Sequence, residues 1–255
     1  MFGKSSVDWC EKNYIYSNYI AEFFNTISGL ALCLSSLIFY NFYIKNVRVY
    51  NKYIYNANFW LFIVGIGTIL FHSTLLYIFQ LLDEIPMILI AIEYIKLNIK
   101  IGEQLNLQNS IFNHAKLFVK ARFLIIPSII YSYYIYPQLQ SITFIGFFTY
   151  SVALVFFQIK YIQENLHAKE SYILNNFLKR KFTKNTSYTI KNIYIYNKIT
   201  IFLFITSLII WIGDSSFCKY FEEYKLHALW HILTSIAIYF CNVLMHIHTK
   251  LTTRY

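Results

Sequence analysis

Ala57-Asn58-Phe59-Trp60-Leu61-Phe62-Ile63-Val64-Gly65-Ile66-Gly67-Thr68-Ile69-Leu70-Phe71-His72-Ser73-Thr74-Leu75-Leu76-Tyr77 contains no Asp, Glu, Lys or Arg, and a helix of that length reaches across the hydrocarbon core of a bilayer. Working outward, comparable apolar runs cover roughly Phe23–Tyr43, Ile85–Ile101, Lys120–Tyr136, Ser141–Tyr161, Lys198–Gly213 and Leu226–His246. Seven spans are therefore expected. Of the 255 residues, 57% are apolar and 13% charged, about half the ~25% charged share of soluble domains, which argues against a soluble enzyme. With 20% aromatics, 7 Gly and 3 Pro, the chain is also neither disordered nor loop-rich. The expected class is all-α, a bundle of seven transmembrane helices. Its domains are an N-terminal segment over residues 1–22, the helical domain over 23–246 and a tail over 247–255.

The formal charge of +10 points to cytosolic loops rather than to nucleic acid. Threading the chain through seven spans places 18 of the 22 basic residues on one side, including Lys45, Arg48, Lys100, Lys116 and the cluster Lys179-Arg180-Lys181; Lys4, Lys12, Lys219 and Lys225 fall on the other. The N-terminus is accordingly expected to face the lumen or exterior and the tail the cytosol. The sequon Asn185-Thr186-Ser187 then lies in a long cytosolic connection and stays unmodified. The first span follows acidic residues rather than a basic stretch and has no small-residue cleavage site, so it is expected to be retained.

Ionisable groups within spans are costly to bury and mark function. His72 lies late in span 2, Asp83 and Glu84 at the start of span 3, Asp214 at the exit of span 6, and His227 with His231 at the beginning of span 7. Alternating span directions bring all six near one membrane face. His227 and His231, four residues apart, share a helical face within reach of one ion, and His72 is the expected third ligand. Three imidazoles leave a fourth tetrahedral position open, as in catalytic zinc sites; paired histidines alone more simply bond interfacial polar groups.

Asp83 reads either as a first-turn carboxylate at a helix start, ahead of Pro86, or as the base that handles a water proton. Adjacent Asp83 and Glu84 point in different directions, so one at most faces a metal. Asp214 either orients a ligand imidazole or caps the helix end. Asp8, Glu11, Asn13 and Glu22 offer hard oxygen ligands on the same side without EF-hand spacing, and on composition the simpler reading is a solvated acidic segment. Cys33 and Cys241 fall inside spans as small hydrophobes; Cys10 and Cys218 fall on the lumenal side, where oxidation is permitted and a bridge between them is compatible with the compartment.

Asp8-Trp9-Cys10-Glu11-Lys12-Asn13 with Tyr19-Ile20-Ala21-Glu22-Phe23, Gly65-Ile66-Gly67-Thr68 leading to Phe71-His72, Gln80-Leu81-Leu82-Asp83-Glu84-Ile85-Pro86-Met87, Asp214 with Phe217-Cys218, and His227-Ala228-Leu229-Trp230-His231-Ile232-Leu233 occur in an order and spacing that resembles the alkaline ceramidase family. This group of seven-helix membrane hydrolases is related to the adiponectin receptors. The resemblance implies hydrolysis of the ceramide amide to a sphingoid base and a fatty acid, with Zn2+ held by His72, His227 and His231 and proton transfer by Asp83. It also implies Ca2+ held near the N-terminus by Asp8, Glu11, Asn13, Glu22 and a Trp9 backbone oxygen, reversing the compositional reading. It further supports a Cys10–Cys218 bridge, a lumenal N-terminus, and residence in the endoplasmic reticulum or Golgi.

Two departures follow. Thr68 stands where the family usually has Ser; it keeps a hydroxyl for the oxyanion but adds a methyl. The stretch between Cys218 and His227 is short for the family. The alternatives are a receptor-like seven-helix signalling protein with slight hydrolysis, from which the N-terminal acidic motif distinguishes the enzyme, and a hydrolase of another acyl lipid.

Overall fold

The quoted run forms most of helix α2, Lys52–Thr74, in a computed structural model that describes residues 3–45, 51–177 and 184–252, with side chains described at 3–45, 51–165 and 194–249. Arg48, Lys179-Arg180-Lys181 and the side chains of the Asn185 sequon lie outside the described residues. The other helices are α1 (Phe23–Phe39, continued by a π turn over Tyr40–Ile44), α3 (Tyr77–Gln104), α4 (Ser110–Ile135), α5 (Pro137–Phe177), α6 (Lys184–Ser216), a short α7 (Cys218–Phe221) and α8 (Leu226–Thr252). The chain is an all-α membrane bundle. Among the described residues, six helices are long and apolar enough to cross a bilayer: those within Phe23–Ile44, Lys52–Thr74, Ser110–Ile135, Pro137–Asn165, Tyr194–Ser216 and Leu226–Thr249.

Besides the short α7, the helix outside that set is α3, and the reason is its place in the bundle. It packs against α2, α4, α5 and α8. Ile88, Ile92, Ile95, Leu97 and Ile101 are each no more than 1% exposed. A helix enclosed by protein does not need an apolar lipid-facing surface, so α3 tolerates Asp83, Glu84, Glu93 and Lys96, the last two paired at 2.5 Å. It is still 28 residues long, or about 42 Å at 1.5 Å per residue.

Several boundaries differ from the hydropathic ones. Helix α3 begins at Tyr77 rather than Ile85, which puts Asp83 and Glu84 in its second turn and not at its start. Helix α4 begins at Ser110, where Asn109 caps it by accepting from the Ile111 N–H at 3.0 Å, ten residues before the expected Lys120. The basic connection after span 5 is largely helical, because α5 runs to Phe177 and α6 begins at Lys184. Backbone hydrogen bonding continues beyond the apolar stretch, so hydropathy marks the membrane rather than the helix ends.

Glycines set the approach of α1 and α3 to α2. A Cβ on Gly65 would lie 2.8 Å from the Cys33 backbone nitrogen, and one on Gly67 would lie 2.5 Å from the Leu82 carbonyl oxygen and 2.7 Å from the Asp83 nitrogen. Only a hydrogen fits there, and the close approach carries Asp83 to the neighbourhood of Thr68. Residues 3–22 close this end: Lys4 pairs antiparallel with Leu76, and the Ala21 and Glu22 N–H groups donate to the Ser73 and His72 carbonyls, each at 3.0 Å. Gly67→Ala is expected to lower stability by about 1–3 kcal/mol in thermal unfolding of the detergent-purified protein. Gly146→Ala, where nothing lies within 4 Å of the added carbon, is the neutral comparison.

Candidate active site

His72 comes from the last turn of α2, and His227 and His231 from the first two turns of α8; all three are at most 2% exposed. Their ligand atoms lie within 4.8 Å of one another. Ring centroids are 5.1 Å apart for His72 with each partner and 4.6 Å apart within the α8 pair. His72 Nδ1 contacts Glu22 Oε2. Ser28 Oγ donates to the Asn25 carbonyl at 2.8 Å, so at 2.7 Å from His231 Nδ1 the same oxygen acts as acceptor. These contacts occupy Nδ1 and leave Nε2 of His72 and of His231 buried without a hydrogen-bond partner. His227 keeps a buried Nδ1 without a bond, 4.0 Å from Asp214 Oδ2. Three converging imidazoles, two of them with a buried unbonded Nε2, fit a zinc ion, which would explain polar atoms that otherwise lack partners.

Asp83, 8% exposed, lies across from the triad and accepts the Thr68 hydroxyl on Oδ1 at 2.6 Å. That hydroxyl also lies 2.9 Å from the Val64 carbonyl, so its single proton is shared between two acceptors. Glu84 lines the cavity beside His227 as well but is tied up in hydrogen bonds, accepting from Gln80 at 2.8 Å and from Gln140, which in turn accepts from Ser6 at 2.6 Å. Asp83, Met87, Phe148 and Trp230 line two cavities: a deeper one that includes Thr68 and His231 and reaches Tyr94, and one under the N-terminal segment that includes Trp9 and His227.

The N-terminal acids divide by task. Glu11 accepts from the Phe24 and Asn25 N–H groups at 2.7 and 2.9 Å, capping α1 from a distant part of the chain. Glu22 accepts from the Trp9 N–H at 3.1 Å and from the Asn25 amide at 3.0 Å. Burial pushes the Glu22 carboxyl up to about 7, opposed by those two hydrogen bonds and reinforced by Asp8 beside it. Asn13 bonds Asp8 at 3.1 Å while its own Oδ1 is buried without a partner. Trp9 stacks on His227 with centroids 3.8 Å apart, and Cys10 is bridged to Cys218. Asp214, 1% exposed, lies beside the start of α8, with Oδ2 buried without a hydrogen-bond partner and 4.0 Å from His227 Nδ1.

A family model described as Ceramidase matches residues 2–254. The chain belongs to the ceramidase family. A Dictyostelium discoideum relative whose name assigns it provisionally to the alkaline ceramidases is 28% identical over 265 residues, covering 92% of this chain and 83% of its own. Alkaline ceramidase 3 of Mus musculus is 26% identical over 264 residues, covering 96% of this chain and 84% of its own. A local match of 84 residues to an alkaline ceramidase of Saccharomyces cerevisiae is 45% identical, over 33% of this chain and 26% of that one. Within the ceramidase family, the buried histidine triad is consistent with a zinc site.

Ser28, Asn25, Gln80 and Gln140 were not singled out by sequence reasoning, since nothing separates them from other small or polar residues near apolar runs. Ser28→Ala removes the acceptor for His231 Nδ1, and zinc retention in chelator competition is expected to fall about 10–100-fold. An unchanged affinity in that titration would show that Ser28 does not orient His231.

Proposed function

We propose that this chain is an intramembrane zinc amidase that hydrolyses ceramide to a sphingoid base and a free fatty acid. One observation carries the reading: Asp83, the carboxylate able to move a proton, shares one cavity wall with His231 and another with His227. Zinc held by His72, His227 and His231 would supply Lewis acidity for the amide carbonyl and lower the pKa of water towards neutrality. Asp83 takes the water proton and returns it to the leaving amine nitrogen. Thr68 holds Asp83 Oδ1 in place, and to serve the oxyanion it must turn its one proton away from Asp83 or Val64. Asp214 acts beyond the ligands, its carboxylate lying beside His227 Nδ1.

We read α3 as a seventh span, with the N-terminus in the lumen of the endoplasmic reticulum or Golgi and the tail in the cytosol, as the basic residues require. A calcium ion among Asp8, Asn13, Glu22, Glu11 and the Trp9 backbone is supported by two neighbouring carboxylates and the unpartnered Asn13 Oδ1. Glu11 is the least free of these ligands, since both oxygens already cap α1. Its role is to join that site to the helix.

Asp83→Asn, purified intact with its zinc, is expected to release sphingoid base from ceramide about 10²–10⁴-fold more slowly than the parent. Parent-like turnover in that variant would remove Asp83 from the mechanism. For calcium, a selective chelator is expected to lower the unfolding temperature of the parent and to leave Asp8→Ala unmoved. An equal shift in both proteins would place the ion elsewhere.

A further inference from the structure

One turn beyond the floor of the deeper cavity, the bundle buries amide side chains that bond to nothing among the described residues. Asn98 on α3 and Gln158 on α5 are both 0% exposed, and both polar atoms of each are unpartnered. Asn242 on α8 is equally buried; its Oδ1 accepts the Tyr94 hydroxyl at 2.8 Å while its Nδ2 has no partner. Nearer the end of the bundle away from the triad, Asn197 Nδ2 donates to Gln163 Oε1 at 2.9 Å, and the other polar atom of each side chain is again unpartnered.

These groups are in register with the site. Asp83, Met87, Ala91, Tyr94 and Asn98 recur at intervals of three and four along one face of α3, and the first four line the deeper cavity. On α8 the same cavity runs from His231 to Cys241, the residue before Asn242. The stripe therefore passes from the reacting groups, through the Tyr94–Asn242 bond, into the unpartnered amides. In a bundle surrounded by lipid, buried amides on three helices that lack protein partners call for internal water, which bonds two to four such groups at once. The other end of the site is covered: Trp9 lies on His227, Glu22 contacts His72, and the Cys10–Cys218 bridge ties this cover down.

We infer that Asn98, Asn242 and Gln158 line a hydrated chamber, continued by Gln163 and Asn197, through which water reaches Asp83 from the cytosolic end of the bundle. The inference rests on the hydrolytic reading and the topology above, because a hydrolase consumes one water per turnover. Tyr94 stands between chamber and cavity, and its hydroxyl passes water along a hydrogen-bonded chain in an otherwise apolar wall.

Thiol labelling tests it in the full-length protein, in vesicles, with Cys33→Ala and Cys241→Ala as background and the Cys10–Cys218 bridge intact. A charged, membrane-impermeant methanethiosulfonate added on the cytosolic side is expected to modify Asn98→Cys about tenfold or more faster than Ile95→Cys, a dry position on the same helix. Equal rates, or labelling of Asn98→Cys only from the lumenal side, overturn the chamber or its direction. In parallel, Asn98→Leu is expected to lower kcat about tenfold with KM and zinc content unchanged, and Asn98→Ser, which still bonds water, to retain turnover. Full turnover in Asn98→Leu overturns the supply role. Labelling does not depend on activity, so a labelled Asn98→Cys in a protein that cleaves no ceramide would sink the hydrolytic reading while the chamber stands.

Discussion

The contact between Glu22 and His72 Nδ1 binds three parts of the chain into one site. Glu22 precedes α1, His72 ends α2, and Trp9, whose N–H also bonds Glu22, belongs to the covering segment. The backbone repeats the connection, with the Glu22 N–H donating to the His72 carbonyl at 3.0 Å. An imidazole whose Nδ1–H is given to a carboxylate presents a lone pair on Nε2, so the bond fixes both ring orientation and tautomer. Ser28 does the same for His231 with an oxygen already committed as donor to Asn25. The triad is thus oriented by residues outside it.

The same constraint, that polar atoms away from water must be met by protein, explains the central place of α3. Its carboxylates are held by named partners: Asp83 by Thr68, Glu84 by Gln80 and Gln140, Glu93 by Lys96. The Asp83–Thr68 bond requires α3 close to α2, and the absence of a side chain at Gly67 permits it. A helix too polar to face lipid becomes the one that carries the carboxylate beside the triad.

What could be read from the residues was local or periodic. The apolar runs located the bundle, and the four-residue spacing of His227 and His231 placed two rings on one face before any fold was known. His72, Asp83 and Asp214 were brought to the same end by alternating span directions alone. Helix ends were less legible, because α3 from Tyr77 and α4 from Ser110 are set by backbone bonding and by a cap such as Asn109, which hydropathy does not register. The capping role of Glu11 escaped for a related reason. It caps α1 from the far side of the N-terminal segment, and such a pairing exists only after the chain has folded.

The two cavities that share Asp83, Met87, Phe148 and Trp230 bear on the shape of what is cleaved. A lipid amide carries one apolar chain on its carbonyl carbon and another beyond its nitrogen, so a hydrolase needs two apolar sleeves that meet at the reacting bond. Here the junction holds a carboxylate and sits against the triad, with His231 on the deeper side and His227 beneath the N-terminal cover. Holding both chains fixes the amide before any bond changes, and such fixing is among the larger sources of rate available to an enzyme. The indole of Trp230 bounds both sleeves one residue before His231. The wall that would meet both chains and the histidines of the triad therefore share one turn of α8.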